Sequence, residues 1–132
     1  DAPWLVSRSG EVIEASDLGE RNVAGALNSN LRFMQGLADG GGTQVPMDDL
    51  VRDVWAQEEG IRSDTELWLG AYLMLAMQPL PQEDIETYIA FWRTQTGGAL
   101  TAALFEAFNT LYDGLSYATA RVISLRIGTE EL

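Results

Sequence analysis

Leu67 to Met77 is an apolar run broken only by Gly70. Before it stands Ser63-Asp64-Thr65-Glu66, the spacing of a capping box, in which the first side chain satisfies a free helix N–H and the fourth reaches back. After it comes Gln78-Pro79-Leu80-Pro81, which cannot continue a helix. The run is about half the length that a bilayer span requires. A helix apolar on every face is buried on every face, so the run predicts a helix at the centre of a bundle.

The rest of the chain fits around such a centre. No segment alternates apolar and polar residues for long with β-branched enrichment, so no strand is expected. Trp4, Leu5, Arg8, Val12 and Ile13 suggest a first helix over about Pro3–Ala15, weakened at Gly10. Ser16 and Asp17 read as a turn and N-cap, with Glu20 placed to reach back. The second helix then runs to about Ala38 with Val23, Leu27, Leu31 and Met34 as its buried stripe, and Gly40-Gly41-Gly42 ends it in a flexible loop.

Pro46 can begin a third helix, in which Met47, Leu50, Val51, Val54 and Trp55 follow the apolar helical period and Glu58-Glu59-Gly60 closes the element. A fifth helix starts at Pro81, turns Ile85, Tyr88, Ile89 and Trp92 inward, and breaks at Gly97-Gly98. The sixth is expected over about Ala99–Ile127, with a buried stripe of Leu100, Leu104, Phe108, Leu111, Leu115 and Val122. The ends of so long a helix are candidates for a partner. The fold expected is all-α: an antiparallel bundle of about six helices, with a central apolar helix and a long C-terminal one. At 132 residues the chain fits a single domain. Trp55 and Leu73 are expected to be buried, at about 2–5 kcal/mol each on truncation to Ala.

Residue types narrow the chemistry. The chain has no His, no Cys and no Lys; all eight basic residues are Arg. Ser-His-Asp and Cys-His devices, lysine Schiff bases, disulfides and the common zinc sites are therefore excluded. The net charge of −12, with no basic run, argues against nucleic acid and against an anionic membrane surface. Carboxylates remain. Asp48, Asp49 and Asp53 fall on the third helix, and Glu83, Asp84 and Glu86 open the fifth. They suit the positive end of a helix dipole, and a paired-carboxylate hydrolase is a minor alternative. No cofactor and no metal is expected.

The aromatic residues are the other candidates. Trp68, Tyr72, Phe91 and Trp92 fall on or beside apolar stripes, and Arg93 ends the fifth helix. They read first as core and cap. In a groove they would instead be anchors for an apolar ligand or a partner helix. A ligand cavity would be lined by Met74, Met77, Phe91 and Phe108.

Leu80-Pro81-Gln82-Glu83-Asp84, then Phe91-Trp92-Arg93-Thr94 and Gly97, resemble the signature of a bacterial family known only as domain of unknown function 2059. Asn22-Val23-Ala24-Gly25-Ala26-Leu27-Asn28 and Phe33 are similar to its alphaproteobacterial branch, whereas Gln95 stands where relatives often carry Pro. The resemblance implies an all-helical fold, a periplasmic or envelope location, and a chain that is the C-terminal half of a longer exported protein. It implies no catalytic residues. The chain opens Asp1-Ala2-Pro3 without Met, which is expected of a processed or excised piece. The expected role is a structural or protein-interaction module, whose partner is the N-terminal half of the same protein or a second copy. A carrier or sensor of a small apolar ligand is the alternative.

Overall fold

In a computed structural model of the chain, residues 2–130 are described, with side-chain surroundings over 3–127. They form α1 (Ala2–Ser16), α2 (Leu18–Asp39), α3 (Met47–Trp55), α4 (Glu58–Met77), α5 (Gln82–Trp92) and α6 (Gln95–Glu130), with no strand among the described residues. The fold is all-α with a long C-terminal helix, as the sequence led us to expect. No helix among the described residues is long and apolar enough to cross a membrane.

The chain divides into two compact units. The first takes the residues up to Val23 and Gly60–Phe105; the second takes Ala24–Glu59 and the residues from Glu106 onward. The boundaries fall inside α2, α4 and α6, so each of these helices contributes to both.

In the first unit, Val12 of α1 meets Leu73 and Met77 of α4 and Ile85 and Ile89 of α5, with Trp4, Leu5, Ile13, Ala15 and Leu18 packed around them. Residues four apart share a helix face, so α4 and α5 each offer one narrow apolar edge to this core. Ser9 and Ser16 are buried in α1 but satisfy themselves. Their hydroxyls donate to the carbonyls of Leu5 and Val12 one turn back, at 2.9 and 2.5 Å. A single residue, Asp17, turns α1 into α2 in the left-handed region at φ 55°. Asp tolerates that region better than most residues. Glu20, expected to reach back to this turn, instead takes the guanidinium of Arg62.

Three sequence expectations are corrected in this unit. α4 begins at Glu58, so Glu58-Glu59-Gly60 opens it rather than closing α3, and Ser63–Glu66 lies within the helix. Burial of α4 is one-sided. Leu69, Leu73 and Met77 are enclosed, while Leu67, Trp68, Tyr72 and Leu75 are 76%, 58%, 55% and 72% exposed. α6 begins at Gln95 rather than Ala99, because Thr94 caps it. The Thr94 hydroxyl accepts the N–H of Gly97 at 3.0 Å and donates to the carbonyl of Phe91 at 2.6 Å. Gly97 is buried in this turn, where a Cβ would collide with the Phe91 carbonyl and lie 2.8 Å from the Trp92 Cα.

The second unit is built on small residues. Gly36 of α2 lies so close to α6 that a Cβ there would strike the Tyr117 carbonyl and stand 2.8 Å from the Ala120 Cβ. Ser29 and Ser116 share a hydrogen bond of 2.8 Å, and the Ser124 hydroxyl donates to the Leu37 carbonyl at 3.0 Å. The Tyr117 hydroxyl donates to Asp39 at 2.6 Å, and Arg32 covers the Tyr117 ring at 4.7 Å. In α3, Leu50 and Val54 are buried, but Trp55 is 61% exposed.

This close approach sets the orientation of α6. Ala120 and Ser124 face inward, so Phe108, Leu111, Leu115 and Val122 of the expected stripe lie outside, each between 50% and 55% exposed; its other two members, Leu100 and Leu104 in the first unit, are 42% and 43% exposed. The period of that stripe was legible in the sequence; its direction was not. Gly25-Ala26-Leu27 and Gly98-Ala99-Leu100 echo one another in sequence, but Leu27 is buried and Leu100 is exposed.

Candidate functional site

The five residues singled out from the sequence all lie in the first unit, four of them on α4 and α5 and Arg93 just past the end of α5. Trp68 and Tyr72 are one turn apart on the outer face of α4, stacked with ring centroids 5.2 Å apart and planes 12° from parallel. On α5, Trp92 takes Tyr88 and Phe91 edge-on, at 5.6 and 5.1 Å. No ring contact among the described residues joins the α4 pair to the α5 cluster. Trp92 is half-buried, and its indole N–H is enclosed without a hydrogen-bond partner. Tyr88, expected inward, is 45% exposed, and Phe91 lies at the surface at 37%. Arg93 closes α5 and donates to Glu11 of α1 at 3.1 Å, which ties the end of α5 to α1.

Sequence reasoning missed the neighbours that turn the α4 pair into a surface. Leu67 and Leu75 flank Trp68 and Tyr72 on the outer face. The signal was the run itself. A helix apolar on all sides exceeds what one small unit can enclose, and the surplus must face outward.

A cleft of about 470 Å³ opens between α1, α4 and α5, lined by Trp4, Leu5, Met74, Met77, Leu80 and Ile85 among others. It takes two of the four residues expected to line a ligand cavity, Met74 and Met77. Phe91 and Phe108 are not in its wall, because both turn to the surface.

Of the carboxylates singled out, Asp48 and Asp49 open α3 and Glu83 and Asp84 open α5, whereas Asp53 lies in the last turn of α3. Asp53, Glu83 and Glu86 are exposed, and Asp49 is half-exposed and accepts from Arg52 at 2.8 Å. The hydrogen bond from Arg62 holds the Glu20 carboxyl below its ordinary pKa, against the weaker opposing pull of desolvation. A general acid needs the opposite displacement. Among the described residues no three His, Cys, Asp or Glu side chains are grouped so as to hold a metal ion.

Compared with family models, with curated proteins and with solved structures, the chain matches none.

Proposed function

We propose that this chain is a non-catalytic protein-interaction module, and that the outer face of α4 is where a partner docks. One observation carries the reading: Leu67, Trp68, Tyr72 and Leu75 form a continuous apolar face on one helix, each more than half exposed. Scattered exposed apolar residues are ordinary, but a contiguous face of this kind marks an interaction site. Trp and Tyr are also the residues that most often anchor interfaces. The resemblance to domain of unknown function 2059 supports an exported protein of the bacterial periplasm or envelope. The partner of the α4 face is then the N-terminal half of the same protein.

Native mass spectrometry of the chain purified from the cell that makes it, beside its denaturing mass, tests this. A heavier native species that releases a polypeptide is expected. A Trp68→Glu variant should lose that species and keep its helix content, because Trp68 is not part of the core. A native mass equal to the denaturing one would overturn the reading.

A second reading rests on the cleft between α1, α4 and α5, whose volume and apolar wall suit a small apolar ligand. In the same experiment it requires a small-molecule mass increment in place of a polypeptide.

A further inference from the structure

The cleft between α1, α4 and α5 is graded from floor to rim. Met77 and Ile85 form its buried floor, Trp4 and Met74 stand half-buried in its walls, and Gln78 and Gln82 are exposed at its rim. None of the described residues that line it is charged. The two glutamines stand on either side of the turn from α4 into α5, and their side-chain amides make no hydrogen bond to another described residue. The polar side chains at the rim are thus uncharged amides, set where the apolar surface ends.

We infer that the cleft binds an uncharged amphiphile: an apolar body that lies against Met77 and Ile85, with an amide or hydroxyl head hydrogen-bonded by Gln78 and Gln82. The inference rests on reading this cleft as a small-ligand site and names the ligand class. Its volume of about 470 Å³ falls within the range of small-molecule pockets, about 300–1,000 Å³. Two methionines line it, and their unbranched side chains adapt to the outline of an apolar guest.

Charge decides the head. A charged head that leaves water needs an opposite charge to replace its hydration. A carboxylate finds no base in the wall. Arg8 covers the Trp4 ring at 5.6 Å, but it already donates to Glu11 at 2.8 Å. Glu83 and Asp84, exposed and next in the chain after Gln82, repel an anion at the rim. An ammonium finds no acid in the wall to take the place of its water. A glutamine amide both donates and accepts, so two of them suit a neutral head that does both.

Isothermal titration calorimetry of the whole chain at neutral pH tests this with three probes of one chain length: octanamide, octanoate and octylamine. Octanamide is expected to bind at least about tenfold more tightly than either charged probe. Hexanamide, shorter by two methylenes, should bind about tenfold more weakly than octanamide. Gln82→Arg, at an exposed position, puts a base at the rim, so octanoate should gain at least about tenfold with helix content unchanged. Leu80→Trp, at a wall position 47% exposed, narrows the cleft and should abolish octanamide binding. Leu115→Glu, on the exposed stripe of α6, should leave that binding unchanged. Three probes that bind alike, or a charged probe that binds most tightly, would overturn the ligand class and leave the cleft reading standing. No binding by any probe overturns both and leaves the α4 reading to the native-mass experiment. Octanamide binding that survives Leu80→Trp and is lost in Leu115→Glu also overturns the inference, because the ligand then sits on α6.

Discussion

Leu73 and Trp55 both fall on apolar stripes, but only one of them is enclosed. Leu73 is 8% exposed among Val12, Met77, Ile85 and Ile89, whereas Trp55 is 61% exposed at the last turn of α3. Truncating a buried Leu removes its transfer free energy and leaves a cavity, so Leu73→Ala should cost about 2–5 kcal/mol. Trp55→Ala leaves nothing empty and should cost under about 0.5 kcal/mol. Urea melts of the two variants measure both. A loss at Trp55 as large as that at Leu73 would mean that Trp55 is covered. Apolar identity and spacing placed Leu73 correctly, because its neighbours at Leu69 and Met77 share its edge of α4. They could not place Trp55, since a three-turn helix that buries Leu50 and Val54 has already used its inward face.

At the scale of the element, two adjacent glycines separate a structural requirement from a mere tolerance. Gly97 lies in the first turn of α6, where a Cβ meets the backbone at the end of α5, the Phe91 carbonyl and the Trp92 Cα. Gly98, next to it in α6, has nothing within 4 Å of an added Cβ. Backbone cannot step aside as a flexible side chain can, so Gly97→Ala should destabilise by about 1–3 kcal/mol. Gly98→Ala only removes the flexibility cost of a glycine in a helix, and should stabilise by about 0.5–1 kcal/mol. Thermal melts of the two variants are expected to move in opposite directions. If both fall, Gly98 is needed for packing as well.

The sequence made these elements legible in kind and nearly in extent. Six helices were expected, and caps at Pro46 and Pro81 fell where proline can begin a helix. The α6 start was misread because two glycines look like a break, while the single hydroxyl of Thr94 supplies the cap that overrides them. The site was legible only in part. Trp68 and Tyr72 were named, but on the assumption that α4 was enclosed. Direction of burial depends on how close the neighbouring backbone comes, and periodicity holds no record of that distance. On α6 the glycines of α2 decide it: Gly36 admits Ala120, and the Leu and Phe residues of the same helix are left outside.

For the molecule as a whole, an acidic charge and outward apolar faces pull association in opposite directions. Apolar contact favours it, and two chains of net charge −12 repel each other. That repulsion involves every unbalanced acid of both chains. Salt shortens its reach, from a Debye length of about 30 Å at 0.01 M to about 8 Å at 0.15 M. The stretch of α6 from Glu106 to Arg126 is neutral and most of the acids lie outside it, so screening acts on the repulsion and spares contact between exposed apolar residues. Self-association should accordingly strengthen as sodium chloride rises over that range. Sedimentation equilibrium at the two ionic strengths measures it. An interface held chiefly by ion pairs would respond the other way and weaken with salt. The sign of the salt dependence thus decides whether hydrophobic contact or charge pairing holds the copies together.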